Sequence, residues 1–209
     1  MLHPSANVPK ILLFLLVAVV VAWVPRAATA DHGAAERLVP PPKGFIDFCR
    51  RHPGECTSVG KAPAVIGFSP ARFDQISDIN RKTNLNISYR ADSYTFGRLE
   101  FWEYPFVYGD CEDYALLKKR QLTKLGFHPS SLLLATVRTQ NVGLHVVLLV
   151  LTSDGTWVLD NRNPSVVRPQ ATTYEWLSRQ SRFNPANWVA MDSVHSHRMP
   201  GAATATGGN

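Results

Sequence analysis

The stretch Gly109-Asp110-Cys111-Glu112-Asp113-Tyr114-Ala115 puts a thiol among three carboxylates. Asp110 is a natural N-cap, and Glu112 and Asp113 fall in the first turn after it, where negative charge is favoured, so Cys111 begins a helix. The thiolate is the reactive form of cysteine, and the positive end of a helix dipole favours it by about 0.3–1 kcal/mol. The carboxylates work the other way. One unit charge about 6 Å away, at an effective dielectric of about 20, repels a thiolate by roughly 2–3 kcal/mol. Two additions would reverse that balance: an imidazolium paired with the sulfur, or a cation held by the carboxylates. Asp110 and Asp113 are three apart and so neighbours on a helix, and an all-oxygen donor set suits Ca²⁺. The plain alternative is an acidic first turn that only compensates the dipole.

His145 is the candidate base. It stands in a strand-like run in which every other residue from Val142 to Leu151 except Gly143 is apolar. His32 and His52 lie in polar flanks, His128 precedes Pro129, and His195 and His197 fall near the C-terminus. A strand histidine taken alone reads as a hydrogen-bonded core residue; the cysteine at a helix start shifts the reading toward catalysis. Asp160 is the candidate orienter, because it ends the apolar run Trp157-Val158-Leu159, where a carboxylate is costly unless paired. Its alternative role is an Asx turn opening Asn161-Arg162-Asn163-Pro164. With Asp154-Gly155 as the centre of a two-residue hairpin, Asp160 falls opposite Leu149 and on the face of His145. The two would then be four residues out of step, about 13 Å apart, too far for a hydrogen bond. The register has to differ from this simplest one, through another turn centre or a bulge.

The elements that carry these residues follow from periodicity. Ser69-Pro70 is an N-cap followed by proline, opening a helix with Phe73, Ile76 and Ile79 on one face and an end near Asn84. The aromatic-rich segment Tyr94 to Tyr108 reads as loop around a short strand. In the helix from Cys111, residues Cys111, Tyr114, Ala115, Leu122 and Leu125 share a face with the Lys118 stem, and Gly126 closes it. Strands are predicted at Leu132 to Val137, Leu144 to Leu151, Trp157 to Asp160 and Asn187 to Met191, with a short helix over Tyr174 to Ser181. Cys49 and Cys56 flank Arg51-His52-Pro53-Gly54, whose turn folds one back toward the other. A disulfide there would stabilise by about 2.5 kcal/mol on the chain-entropy model. Cys111 is left as an odd thiol, either an intermolecular partner or a reactive group.

The N-terminus reads as an export signal. Lys10 precedes the uninterrupted apolar run Ile11 to Trp23, Pro25 breaks it, and Ala28-Thr29-Ala30 offers small residues at the positions a signal peptidase reads. The run is shorter than the ~20 residues a membrane span needs. The expected organisation is a signal peptide over residues 1–30, a flexible lead-in over 31–43, one domain over 44–192 and a disordered tail over 193–209. Loss of the signal removes Lys10 and Arg26 and lowers the formal charge of +6 by two. The basic balance is then mild, without runs of like charge or interleaved aromatics, so nucleic-acid binding has no support.

Three stretches occur in order: the one around Cys111, Leu144-His145-Val146-Val147, and Val158-Leu159-Asp160-Asn161. In them the chain, over roughly Phe45 to Met191, resembles the bacterial transglutaminase-like cysteine proteinases. The resemblance implies an α+β, papain-like core in which the helix bearing the nucleophile packs on an antiparallel sheet. It also implies a triad of Cys111, His145 and Asp160, and periplasmic hydrolysis of a protein substrate. Characterised members process a large surface adhesin, need calcium and are restrained by an inner-membrane receptor. Asp110 and Glu112 match the acidic flanks of the nucleophile in that family, with Asp113 a further candidate ligand. The same triad order also serves transglutaminases and arylamine-type acyltransferases, and the fold can persist as a non-catalytic binding module. An acyl-CoA donor fits poorly with export.

Overall fold

A computed structural model describes residues 36–58 and 64–191. The expected signal peptide and C-terminal tail lie outside these residues. Among the described residues no helix is long and apolar enough to cross a membrane.

Four helices are described: α1 (Lys43–Arg51), α2 (Pro70–Asn86), the single turn α3 (Asp92–Thr95) and α4 (Cys111–Lys124). The start of α2 is fixed as its sequence requires, with the Ser69 side chain accepting from Arg72 N–H at 3.2 Å and Pro70 in the first turn. α4 has Asp110 as N-cap and stops at Gly126, whose φ of 84° is the left-handed C′ conformation that glycine adopts without strain. Leu125, expected on the inward face, is 47% exposed, because the helix ends beneath it.

Nine strands are described: β1 (Leu38–Val39), β2 (Ser88–Tyr89), β3 (Tyr108–Gly109), β4 (Leu132–Thr139), β5 (Gly143–Thr152), β6 (Gly155–Asp160), β7 (Asn163–Val167), β8 (Glu175–Gln180) and β9 (Trp188–Ala190). Seven form one antiparallel sheet in the order β1-β9-β8-β4-β5-β6-β7, while β2 and β3 form a small parallel pair. The predicted strands are all present, and three segments differ from expectation. Tyr174 to Ser181 is not helical: from Glu175 to Gln180, Trp176, Ser178 and Gln180 are buried and the residues between them are not, the period of two of a strand laid against β4. Leu38–Val39, inside the stretch read as a flexible lead-in, is an ordered edge strand on β9. The polar loop after Asp160 is a tight hairpin, with Asp160 paired to Asn163 and β7 following at once.

Even-numbered residues of β4 and β5 (Leu132, Leu134, Val146, Leu148, Val150) face α1, α2 and α4 and pack with Phe45, Phe48, Ile76, Ala115 and Leu122. Odd-numbered ones (Leu133, Ala135, Val137, Val147, Leu149) form a second cluster with Val158, Trp176 and Met191 on the opposite face. This is the mixed architecture expected, an α+β domain with helices on one side of an antiparallel sheet. Cys49, at the end of α1, is bonded to Cys56, and Cys111 is the free cysteine.

Candidate active site

β6 pairs with β5 only from Leu148 onward (Leu148↔Leu159, Leu149↔Val158). The opening residues of β5 therefore have no neighbour on that side. The first turn of α4 comes to this open edge, where the Val146 N–H faces the Cys111 sulfur and favours its thiolate. A strand amide lies in the plane of the sheet, so an atom it faces sits at the strand edge and not over a face. Cys111, Glu112, His145 and Val146 line one cleft of about 380 Å³ with Trp102 and Leu144 among its walls.

The observed register answers the spacing problem. The turn is centred on Ser153-Asp154, with Gly155 (φ 113°) already paired to Thr152. Asp160 thus comes next to Val147, two residues from His145 and not four. Side chains on diagonal positions of one face are within reach, and His145 Nε2 lies 2.9 Å from Asp160 Oδ1. Both side chains are only 3% exposed. Asp160 Oδ1 also accepts from Arg162 N–H at 2.9 Å, and Oδ2 accepts from the Tyr174 hydroxyl. Burial raises the Asp160 carboxyl, and the bonds from His145, Tyr174 and Arg162 outweigh it, holding the group below the usual carboxylate range. Behind it, Asn84 Nδ2 donates to Asp160 O at 2.8 Å, and the buried Lys118 ammonium donates to Asn80 Oδ1 at 2.8 Å. Asn80 in turn holds the carbonyls of Asn163 and Pro164, so α2 and α4 grip the hairpin that presents Asp160.

The acidic residues divide. Asp92, Asp110 and Asp113, all buried, bring carboxylate oxygens within 4.8 Å of one another. Glu112, expected as a ligand, stands outside this cluster: its Oε2 accepts from the Cys111 thiol at 3.0 Å, and it is bonded to the Asp110 side chain. A residue one position before Asp113 on a helix projects about 100° away from it, which turns Glu112 to the sulfur. Asp92, eighteen residues from Asp110 in sequence, stands in the cluster. No local pattern marks Asp92, because α3 is a single turn whose position depends on the β2–β3 pair.

The cluster has the donor chemistry that a hard cation requires. Asp92 Oδ1 and Asp110 Oδ1 are buried without a hydrogen-bond partner, and three close carboxylates form a hard, all-oxygen donor set. Without a cation they resist ionising together. Burial, with the Asp110 charge added, raises Asp92 to about 6. Burial and the neighbouring acids raise Asp113 to about 8. Their other oxygens are fixed by backbone: Phe101 N–H donates to Asp92 Oδ2, and Glu103 N–H to Asp113 Oδ1 at 2.8 Å. Gly109 is required beside them, since a Cβ there would stand 2.8 Å from Asp113 Cβ. Glu103 is gripped by Arg51 and by His52 (2.8 Å), both inside the loop closed by the disulfide. The Cys111 thiol is pushed well up, first by burial and then by Glu112. Glu112 is itself raised by burial and by Asp110.

The profile of the bacterial transglutaminase-like cysteine proteinases (Peptidase C93, BTLCP) matches residues 35–196, more than three quarters of the chain. The chain belongs to this family. It is accordingly a cysteine peptidase of transglutaminase-like type, as the three sequence stretches implied. Among solved structures it is similar to calcium-bound LapG of Legionella pneumophila, at 22% identity and a TM-score of 0.48, over 61% of this chain and 76% of that one. The EGTA-treated LapG structure gives 22% identity and a TM-score of 0.49, over 60% and 70%. No curated protein sequence matches.

Proposed function

We propose that this peptidase is an exported, periplasmic endopeptidase that cuts a protein substrate with Cys111 as nucleophile, His145 as base and Asp160 as orienter. The observation that carries the reading is the buried His145–Asp160 pair at 2.9 Å, whose His145 lines one cleft with the free thiol. With Nε2 bound to Asp160, imidazole Nδ1 is left to take the thiol proton as Sγ attacks the scissile carbonyl carbon. The C–N bond breaks as the imidazolium returns that proton to the leaving amine. A water then gives a proton to the imidazole and its oxygen to the thioester, releasing the acid and the thiol. Asp160 keeps the ring oriented and stabilises its cation throughout. The Cys111 N–H, at the start of α4, is an oxyanion donor by position.

Asp92, Asp110 and Asp113 would hold a Ca²⁺. Bound there, the cation neutralises acidic charge beside the nucleophile and ties α3 to the first turn of α4. Support for calcium comes from the unpartnered carboxylate oxygens and from the acidic flanks of Cys111 that match the family. Export is supported by the signal-like pattern of residues 1–30. The family resemblance favours a large surface adhesin as substrate and an inner-membrane receptor as regulator. The test is incubation of the purified protein, with calcium, with large exported proteins of its host, followed by sequencing of new N-termini. New termini that vanish with Cys111→Ala support the reading. Amine incorporation without cleavage would move the activity to acyl transfer.

A further inference from the structure

Tyr174 stands just before β8, two strands away from β5, yet its side chain reaches both partners of the buried pair. Its hydroxyl donates to Asp160 Oδ2, and its ring meets the His145 ring edge-on, with centroids 6.2 Å apart and planes at 74°. Trp176, the next residue on the same face of the strand, backs it at 6.3 Å. The mechanism above leaves this residue unused. A carboxylate turns about its Cβ–Cγ bond, and Oδ1 alone serves both His145 and Arg162 N–H. A donor on Oδ2 fixes the remaining rotation, and in a buried site the loss of that donor leaves an acceptor unpaired.

We infer that Tyr174 is a positioning residue of this peptidase: its hydroxyl clamps the Asp160 carboxylate so that Oδ1 stays turned to His145, while its ring abuts the imidazole. The inference rests on the Cys111–His145–Asp160 reading. Burial and Asp160 push the Tyr174 phenol well above its ordinary value, so it remains a donor across the working range. The groups facing Asp160 are His145 from β5, Tyr174, Arg162 from the hairpin and Lys118 from α4. Removing the phenol removes one of the bonds that hold Asp160 low, so Asp160 takes up a proton at higher pH.

The pH profile of Cys111 alkylation by iodoacetamide, in calcium-containing buffer, tests this without a known substrate, because Cys49 and Cys56 are bonded to each other. Tyr174→Phe keeps the ring and loses the hydroxyl. On the acid limb alkylation should slow roughly tenfold, the scale of a bond to a charged group. The acid limb should move up by roughly one pH unit. Tyr174→Leu, lacking the ring as well, should slow it further, with both variants read well below their melting temperatures. A wild-type rate and acid limb in Tyr174→Phe would overturn the inference. So would a slower rate at every pH with the limb unmoved, which is what a purely structural role gives. His145→Ala separates the two levels. If it keeps the wild-type acid limb, the triad reading fails; if it abolishes the limb while Tyr174→Phe leaves it in place, only the role of Tyr174 fails.

Discussion

Chelation should destabilise this protein far more at pH 8 than at pH 5.5. Three buried carboxylates have oxygens within 4.8 Å of one another. At that distance and an effective dielectric of about 20, each ionised pair repels by roughly 3–4 kcal/mol. Without a cation the cluster relieves this by binding protons, with Asp92 raised to about 6 and Asp113 to about 8 from an ordinary value of 3.8. Because the folded values lie above the unfolded ones, cation-free stability is fully present below pH 3.8 and is lost as pH rises through 6 and then 8. A cation replaces those protons, so it contributes most where they are gone. Calcium at about 100 times its Kd stabilises by about 2.7 kcal/mol. At about 2–4 °C per kcal/mol for a domain of this size, EGTA should lower Tm by roughly 5–11 °C at pH 8. At pH 5.5 protons compete for the same oxygens, and the drop should be a small fraction of that. Calcium should restore Tm and magnesium should restore little, since Mg²⁺ demands tighter octahedral geometry. Differential scanning calorimetry of protein stripped of calcium beforehand, with and without calcium added back, reads this at both pH values. Asp92→Asn should remove most of the calcium-dependent shift and Glu112→Gln should retain most of it, because Glu112 lies against the sulfur. A calcium-dependent shift equal at both pH values, or one lost with Glu112→Gln and kept with Asp92→Asn, would refute the placement of the cation.

Three further outcomes are expected. Cys111→Ala should abolish hydrolysis with an unchanged circular dichroism spectrum, and Asp160→Asn should cost activity chiefly in kcat, since Asp160 acts through His145. Replacing Cys49 and Cys56 together by serine should lower stability by about 2.5 kcal/mol in denaturant titrations; it should also weaken calcium retention, since the loop holds Arg51 and His52 on Glu103. Burial lowers Lys118 to about 7, below its ordinary 10.5. The unfolded chain therefore binds that proton more tightly, and wild-type stability should gain up to about 1.4 kcal/mol per pH unit between those values from this group. Lys118→Met should flatten that part of the slope in urea midpoints measured at pH 7 and 9.5.

Local chemistry was legible in the residues themselves. The start of α4 after Asp110, its glycine stop, the opening of α2, the disulfide and the apolar strand around His145 each depend on neighbours within a few positions, where type and spacing carry the physics. The helix expected over Tyr174 to Ser181 failed, and Asp92 went unread, for reasons of the same kind. The segment after Tyr174 has an alternation that only an adjacent β4 turns into a strand. Asp92 has no motif, and it becomes a candidate ligand only because α3 is set against the first turn of α4.

The register of one hairpin shows most clearly what tertiary structure decided. Sequence alone put His145 and Asp160 on one face, because side chains alternate along a strand whatever its partner does. It could not say how far apart they stand, since that depends on which residues turn the chain. Centring the turn on Ser153-Asp154 and not on Asp154-Gly155 slides Asp160 two residues along β5, from a position out of reach to one 2.9 Å from the imidazole. Residue identity determined what chemistry was available; the pairing of strands, a sum of many contacts distant in sequence, determined which groups could meet to perform it.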